Sequence, residues 1–133
     1  MMSFYSLPST IMQHPKHDVL NAAYMYYYAT DCILSGEGSS SSSDADSAKT
    51  TAKLSARLNA LVADLLVMAK SEGFDVVNTL TLMDNNLFLQ DQRFGGGDGY
   101  LNYYLYNYTT APIDGGASGT QSRQTSGIGV VML

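Results

Sequence analysis

The chain has few of the residues on which several common kinds of protein depend. Its 133 residues include one cysteine, Cys32, which excludes an intrachain disulfide and fits a reducing compartment. One cysteine and two histidines are too few for the usual ligand set of a structural zinc site. Seven basic residues stand against twelve acidic ones, and the net charge of −5 argues against a nucleic acid or an anionic membrane as partner.

Long apolar runs and a targeting segment are also missing. No stretch approaches the ~18 apolar residues of a membrane-spanning helix. The N-terminus lacks a charged segment followed by an apolar one, as a secretory signal requires. We therefore expect a cytoplasmic protein with no membrane span. The residues that are present, 45% hydrophobic and 14% charged, suffice for one domain with a hydrophobic core.

The apolar pattern predicts strands separated by helices. Alternating and aromatic residues predict strands at residues 4–7, 74–77, 100–108 and 127–133. Helical spacing predicts helices over residues 19–30, 48–71 and 78–92. Asp18 is the expected N-cap of the first helix, and Gly73 the residue that ends the second. The helix over residues 19–30 is predicted because five apolar or aromatic residues would share one of its faces, namely Leu20, Ala23, Tyr24, Tyr27 and Tyr28.

Two segments of low complexity interrupt these elements. Residues 35–47 are rich in serine and residues 112–126 in glycine and serine, and both are expected to be flexible loops. Few strands with long helices between them indicate an α+β fold. We treat residues 1–133 as a single partial domain, because so thin a sheet leaves edges that need a partner. Met1 lies directly before a predicted strand, which suggests that the chain begins part-way through a larger fold.

A run of glycines invites a phosphate-binding interpretation. Gln92-Arg93-Phe94-Gly95-Gly96-Gly97 fits the Q/R-x-x-G-x-G/A pattern with which many N-acetyltransferases hold the pyrophosphate of coenzyme A. Such a site needs a strand before the loop and a helix after it, but the order predicted here is helix, loop, strand. Asp98 would also repel a phosphate, so a tight turn is the better interpretation. Asp98 itself lies between two glycines and is either an exposed binding residue or an ordinary turn aspartate.

Other candidate residues have weaker support. His14 and His17 flank Pro15 without a third ligand nearby, so we interpret them as polar loop residues and predict no metal site. Ser9 has no evident histidine or aspartate partner, which leaves a catalytic triad unsupported. The final seven residues are apolar, and packing them would bury the α-carboxylate of Leu133. A buried charge is costly unless it is paired or used, so this carboxylate is a candidate for chemistry.

Together these segments resemble the C-terminal part of an N-myristoyltransferase (glycylpeptide N-tetradecanoyltransferase), and the filamentous-fungal branch in particular. The resemblance runs in family order along nearly the whole chain. The matching segments are Phe4-Tyr5-Ser6-Leu7-Pro8-Ser9, Asn21-Ala22-Ala23-Tyr24, Phe74-Asp75-Val76, Asn85 with Phe88-Leu89, Phe94-Gly95, Gly97-Asp98-Gly99, Tyr104-Leu105-Tyr106-Asn107 and Gly127-Ile128-Gly129-Val130-Val131-Met132-Leu133. The serine-rich loop has no clear counterpart, and Val77 and Thr79 depart from the usual phenylalanine and alanine.

The resemblance implies the C-terminal half of a duplicated acyl-CoA N-acyltransferase (GNAT-like) fold, an incomplete mixed sheet flanked by helices. It implies that the carboxylate of Leu133 is the general base that deprotonates the substrate's N-terminal glycine. It also implies peptide binding by a groove whose residues are Ser9, Leu20, Tyr24, Gly97, Asp98 and Gly99. Myristoyl-CoA is the implied co-substrate, held mainly by an N-terminal half that this sequence lacks, so no cofactor is expected on this chain.

The residues leave three hypotheses open. The first is the C-terminal half of a myristoyltransferase that acts on proteins with an N-terminal glycine and is inactive by itself. The second is a non-catalytic peptide-binding module that retains the groove around Tyr24 and Asp98. The third is a structural partner that docks through its open sheet edge.

Overall fold

The chain forms two compact units, Met1–Leu80 and Thr81–Leu133. The computed structural model describes residues 1–32, 44–97, 99, 101, 104–111 and 129–131, with the backbone alone for residues 44–47. The elements in chain order are the strands β1 (Met2–Ser6), β2 (Ser9–Thr10), β3 (Val19–Leu20) and β4 (Ala22–Tyr28), the helix α1 (Asp44–Ser71), the strand β5 (Val76–Asn78) and a short 3-10 helix (Asn85–Leu87). The expected strands at residues 4–7 and 74–77 are confirmed as β1 and β5, each displaced along the chain by one or two residues.

A three-stranded mixed sheet organises the first unit. Its order is β1-β4-β5, with β4 antiparallel to β1 and parallel to β5, so the expected α+β class is confirmed. Parallel neighbours need a crossover connection, and here α1 lies in the connection between β4 and β5. The central strand is covered on both faces where Ala22 and Ala23 are buried.

The predicted helix over residues 19–30 is wrong, because this segment forms β3 and β4. The helical spacing of its apolar residues is real, but β4 pairs with β1 along one edge and, over residues 22–24, with β5 along the other. Tyrosines fit such a pleated surface well. Asp18 does not cap a helix, and its carbonyl instead accepts a hydrogen bond from the Ile11 amide at 2.9 Å.

The long helix is confirmed and begins at Asp44, four residues before the predicted start. One face of α1 is buried, with residues spaced three or four apart as an amphipathic helix requires. The buried residues of this face are Leu54, Leu58, Val62, Leu65 and Ala69. The helix contacts β1, and just beyond its end the ring of Phe74 meets that of Phe4 edge-on at 5.5 Å.

Gly73 ends α1 as the sequence predicts. Its φ is +81°, its amide donates to the Lys70 carbonyl at 3.2 Å, and the Phe74 amide donates to the Ala69 carbonyl at 3.0 Å. These two bonds form a Schellman motif, which satisfies carbonyls that the helix itself leaves without donors.

The second unit differs more from expectation. Residues 78–92 were expected to form a broken helix, but they contain the end of β5, the 3-10 helix and short turns. The described residues of the expected strand 100–108, which are 101 and 104–108, form no strand. Gly129–Val131, from the expected strand 127–133, are also irregular, although Val131 is buried.

Both loops expected at residues 35–47 and 112–126 fall largely or wholly outside the described residues, and the first overlaps the start of α1. Among the described residues, no helix combines the length and the hydropathy of a membrane-spanning segment.

Candidate functional site

One long β-hairpin carries three of the predicted binding residues. Its strands are joined through residues 12–17, and its register is unbroken from Phe4 opposite Met25 to Thr10 opposite Val19. Ser9 lies directly opposite Leu20, and the Leu7 amide donates to the Ala22 carbonyl at 2.9 Å where the ladder passes Pro8. The structure therefore brings Ser9 and Leu20 together as a cross-strand pair.

Tyr24 lies on the same face of this hairpin. Side chains alternate between faces along a strand, and directly opposite residues share a face. Tyr24, opposite Tyr5, therefore shares its face with Leu20 and Ser9. The four steps from Leu20 to Tyr24 correspond to about 13 Å of strand at ~3.3 Å per residue. We call this set, Tyr5, Ser9, Leu20 and Tyr24, the hairpin face.

Aromatic rings build one end of the hairpin face. The rings of Tyr5 and Tyr24 stack with centroids 5.5 Å apart and planes 18° apart, and Tyr26 meets Tyr5 edge-on at 6.0 Å. Both geometries are favourable for aromatic pairs, each contributing about 0.5–1.5 kcal/mol beyond the area that it buries. The three tyrosine rings thus hold one another in place at this end of the hairpin face.

A β-bulge helps to set the position of these rings. Met2 pairs with Tyr28 and Phe4 with Met25, so β4 has one more residue than β1 across this interval. The Ser3 hydroxyl donates to the Tyr27 carbonyl at 2.6 Å within the bulge, and the rings of Tyr26 and Tyr27 lie 4.4 Å apart. Bulges re-aim side chains and increase local twist, which accounts for two neighbouring tyrosines in contact.

The opposite face of the hairpin packs towards the interior of the first unit. Met25 is buried, and its sulfur accepts a hydrogen bond from the Thr79 hydroxyl at 3.5 Å. Phe4, opposite Met25, contacts Phe74. One face of the hairpin is thereby fixed to the fold, while the other carries Ser9, Leu20 and Tyr24.

A pair of hydrogen bonds connects the middle of the hairpin to Asp75, the residue before β5. The Asn21 amide donates to Oδ2 of Asp75 at 2.9 Å, and the Asp75 amide donates to the Asn21 carbonyl at 2.9 Å. Asn21 lies between Leu20 and Tyr24, so Asp75 holds the backbone at the centre of the hairpin face. Beyond it Tyr24 pairs with Asn78 of β5, which places Asn78 on the same face.

The remaining predicted site residues belong to the second unit. Gly97 and Gly99 are exposed, and a Cβ built on either would meet no atom within 4 Å. Asp98 and Leu133 lie outside the described residues. The roles of all four stay predictions.

The glycine run follows a helical turn, not a strand. The Phe94 amide donates to the Leu89 carbonyl at 2.8 Å, and Arg93 closes the turn with a φ of 58°. Gly95, Gly96 and Gly97 then continue without regular structure or a left-handed φ. The described residues after it, 99, 101 and 104–111, include no helix whose N-terminus could bind a phosphate, in agreement with the turn interpretation.

Ionisable residues outside the hairpin face include a pair of histidines and a partly buried carboxylate. His14 and His17 stack at the tip of the hairpin with ring centroids 5.0 Å apart. Within the described ranges, no three residues among His, Cys, Asp and Glu are placed to hold a metal ion. Burial raises the pKa of the Asp84 carboxyl above its usual 3.8, at the residue before the 3-10 helix.

Sequence reasoning missed Tyr5, Tyr26 and Asn78 as members of the candidate site. Tyr5 and Asn78 pair with Tyr24 across 19 and 54 residues of sequence, and Tyr26 joins them through its ring contact with Tyr5. The available signal was the run of tyrosines in β4, which favours a strand over a helix. Read as a helix, the same run placed Tyr24 with Tyr27 and Tyr28, and so assigned it the wrong neighbours.

Comparisons with known proteins give consistent results along the whole chain. Residues 1–131 match the sequence profile of "Myristoyl-CoA:protein N-myristoyltransferase, C-terminal domain". The chain is 45% identical to the glycylpeptide N-tetradecanoyltransferase of Aspergillus fumigatus, over 98% of this chain and 25% of that protein. It is also 45% identical to the Saccharomyces cerevisiae enzyme of the same name, over 98% of this chain and 28% of that protein.

A solved structure shows the same architecture. The crystal structure of Saccharomyces cerevisiae N-myristoyltransferase with bound myristoyl-CoA superposes with a TM-score of 0.85 and 44% sequence identity. That match covers 99% of this chain and 31% of the yeast chain. The chain thus spans between a quarter and a third of the length of these relatives.

Proposed function

This chain belongs to the myristoyl-CoA:protein N-myristoyltransferase family as its C-terminal domain, and on that premise we propose that it serves in the transfer of myristate to the N-terminal glycine of proteins. The family match over residues 1–131 is the observation that carries the proposal. The proposed fold is one half of a duplicated acyl-CoA N-acyltransferase (GNAT-like) structure. The proposed location is the cytoplasm, where a lone cysteine remains reduced.

In this proposal the hairpin face is part of the peptide groove. Ser9 offers a hydroxyl, Leu20 an apolar side chain and Tyr24 an aromatic ring with a polar tip, and all three share one face. The ~13 Å between Leu20 and Tyr24 equals four residues of an extended peptide. The proposed contribution of Gly97, Asp98 and Gly99 is a turn whose carboxylate meets polar or basic residues of the substrate. The net charge of −5 is consistent with such substrates.

The proposed general base is the α-carboxylate of Leu133. An α-amine has a pKa of ~8 and an α-carboxyl of ~3.5, so proton transfer between them in water costs about 6 kcal/mol. Removing both groups from water disfavours both charged forms. It thereby raises the pKa of the carboxyl, lowers that of the amine and reduces the difference between them. About a tenth of such an amine is already neutral at pH 7, and reaction through that fraction costs only ~1.4 kcal/mol.

The chemical step is direct acyl transfer. The neutral glycine nitrogen attacks the thioester carbonyl of myristoyl-CoA, an amide bond forms, and the carbon–sulfur bond breaks to release coenzyme A. The base takes the proton that the nitrogen loses. The donor and the groups that stabilise the oxyanion are assigned to the part of the enzyme that this chain does not span. We therefore expect the 133-residue chain alone to be inactive with myristoyl-CoA and a glycine peptide.

Reconstitution tests the proposed function. The chain is co-expressed with the N-terminal part of the Saccharomyces cerevisiae enzyme, and transfer of labelled myristate to a peptide that begins with glycine is measured. Activity is expected from the pair and from neither part alone. A peptide that begins with alanine is the matched control. A stable, folded complex that binds peptide but transfers no myristate would favour the non-catalytic module instead.

A one-residue extension tests the proposed base within that assay. One glycine added after Leu133 displaces the carboxylate by ~3.5 Å, and we expect activity to be abolished. Replacement of Leu133 by Met keeps the carboxylate in place and is the control that should stay active. Full activity of the extended chain would overturn the assignment of the base.

A further inference from the structure

The β-bulge of the hairpin sets two tyrosines of β4, Tyr26 and Tyr27, opposite a single residue of β1, Ser3. The Ser3 hydroxyl fixes this arrangement by donating to the Tyr27 carbonyl at 2.6 Å. A bulge re-aims side chains, and here the ring centroids of Tyr26 and Tyr27 lie 4.4 Å apart. Tyr27 therefore supports the ring of Tyr26 from one side.

From this position Tyr26 reaches the hairpin face. It follows Tyr24 by two residues, so the two side chains leave the strand on the same face. Tyr5 lies directly opposite Tyr24, which makes Tyr26 its diagonal neighbour. Diagonal neighbours are about 7–8 Å apart, a distance that aromatic side chains can span. The ring of Tyr26 does so and meets that of Tyr5 edge-on, with centroids 6.0 Å apart and planes at 89°.

Tyr5 connects Tyr26 to Tyr24. Its ring stacks on that of Tyr24 with centroids 5.5 Å apart and planes 18° apart, while Tyr26 contacts it edge-on. A stacked pair by itself can still slide and rotate, and a perpendicular third ring removes that freedom. Side chains occupy discrete rotamers, so fixing the ring of Tyr5 also limits the rotamers that the half-buried Tyr24 can adopt.

We propose that Tyr26 is a positioning residue of the peptide groove, which acts through Tyr5 to hold the ring of Tyr24 in the orientation that binds substrate peptide. This inference rests on the proposed function, and it adds a residue that the family resemblance did not name. A side chain that is already ordered loses less conformational entropy when a peptide binds. Without the ring of Tyr26 the peptide itself must order Tyr24, so peptide binding should weaken while the acyl-transfer step stays the same.

Kinetics of the reconstituted enzyme test the consequence for peptide binding. Tyr26→Leu is introduced into the chain that is co-expressed with the N-terminal part of the Saccharomyces cerevisiae enzyme. It should raise the KM for a glycine peptide about fivefold, the equivalent of ~1 kcal/mol for one side chain immobilised on binding. The kcat and the KM for myristoyl-CoA should not change. Tyr26→Phe keeps the ring, which makes the contact, and should have the wild-type KM.

Phe74→Leu is the matched control for the loss of an aromatic ring. It removes one ring from an edge-on pair of similar geometry, that of Phe4 and Phe74 at 5.5 Å and 90°, which lies against the opposite face of the hairpin. Both leucine variants should unfold at lower urea than the wild type, because each loses an aromatic contact. Phe74→Leu should nevertheless leave the peptide KM unchanged. The comparison therefore separates a loss of stability from a loss of positioning.

A measurement without catalysis reports the environment of the Tyr24 ring. The complete chain is labelled with 3-fluorotyrosine, and the fluorine resonance of Tyr24 is assigned by its disappearance in Tyr24→Phe. We expect Tyr26→Leu to move this resonance towards that of free 3-fluorotyrosine. Tyr26→Phe and Phe74→Leu should leave the resonance in place.

Each outcome supports or overturns the proposal. A shifted Tyr24 resonance and a raised peptide KM in Tyr26→Leu, with neither in Tyr26→Phe, support it. An unshifted resonance, or an unchanged peptide KM in an active enzyme, overturns it, as do equal effects of Tyr26→Leu and Phe74→Leu. If the wild-type pair transfers no myristate, the proposed function is overturned, whereas a shifted resonance in Tyr26→Leu still supports the ordering of Tyr24 by Tyr26.

Discussion

Replacement of Gly73 by alanine should destabilise the first unit through backbone conformation alone. Gly73 has a φ of +81°, and a Cβ built on it would meet no atom within 4 Å. No steric clash with neighbouring residues therefore contributes. The remaining cost is that of placing an L-residue in the left-handed region, about 1–2 kcal/mol.

The net change is smaller than this cost because alanine also restricts the unfolded chain. That restriction stabilises a compatible site by about 0.4–1 kcal/mol, so Gly73→Ala should lose ~1 kcal/mol of unfolding free energy. Gly73→Asn should lose less, since asparagine tolerates left-handed φ. Gly96→Ala is the matched control, because Gly96 is also open around its Cβ but has no positive φ. The unfolding free energy of Gly96→Ala should be unchanged or higher than that of the wild type by a few tenths of a kcal/mol.

Urea-induced unfolding, followed by circular dichroism at 222 nm, measures these differences because α1 is the long helix of the chain. The substitution should also affect the candidate site. The turn at Gly73 is followed by Phe74 and then by Asp75, which hydrogen-bonds to Asn21 of the hairpin. Equal unfolding free energies for Gly73→Ala and Gly96→Ala would refute the assignment of a left-handed helix end.

Three further substitutions test the packing and electrostatics. Asp75→Ala removes the acceptor of the Asn21 amide and should cost about 1 kcal/mol in urea unfolding, whereas Asp75→Asn should retain most of the stability; equal losses would contradict this role. Leu58→Ala, at a fully buried position, should cost about 2–5 kcal/mol, and a thermal midpoint within error of the wild type would contradict its place in the core. Burial raises the pKa of the Asp84 carboxyl in the folded protein above its value in the unfolded chain. The ionised carboxylate therefore lowers the unfolding free energy at pH values above the folded pKa. This destabilisation disappears as the pH falls through the folded pKa towards the pKa of the unfolded chain. Asp84→Asn should therefore unfold at higher urea than the wild type at neutral pH, with a difference that shrinks in acid; a constant difference would point to a cause other than charge.

The sequence predicted best those features that depend on neighbouring residues. The buried stripe of α1 follows from helical periodicity, and the left-handed turn at Gly73 follows from the one residue type that adopts it freely. Both depend on interactions within five residues along the chain. The start of α1 at Asp44 was missed by four residues because the serine-rich composition before Ala48 gives no apolar periodicity.

The candidate site was predicted only in part, and for a different reason. Ser9, Leu20 and Tyr24 were named from family resemblance, but their common face depends on the pairing of β1 with β4 and of β2 with β3. Tyr5 and Asn78 join that face through pairings with residues 19 and 54 positions away. A local sequence pattern carries no information about pairing between residues so far apart in the chain. The resemblance could therefore name the residues but could not show that they share one face of the hairpin.

Two tyrosine-rich segments differ from their predicted structure in opposite directions. Residues 22–28 were predicted as helix and form a strand, because β1 and β5 supply ladder partners on both sides. The described part of residues 100–108 was predicted as strand and forms none, although its tyrosines favour strands as strongly as those of β4. Strand formation depends on an available neighbour more than on composition.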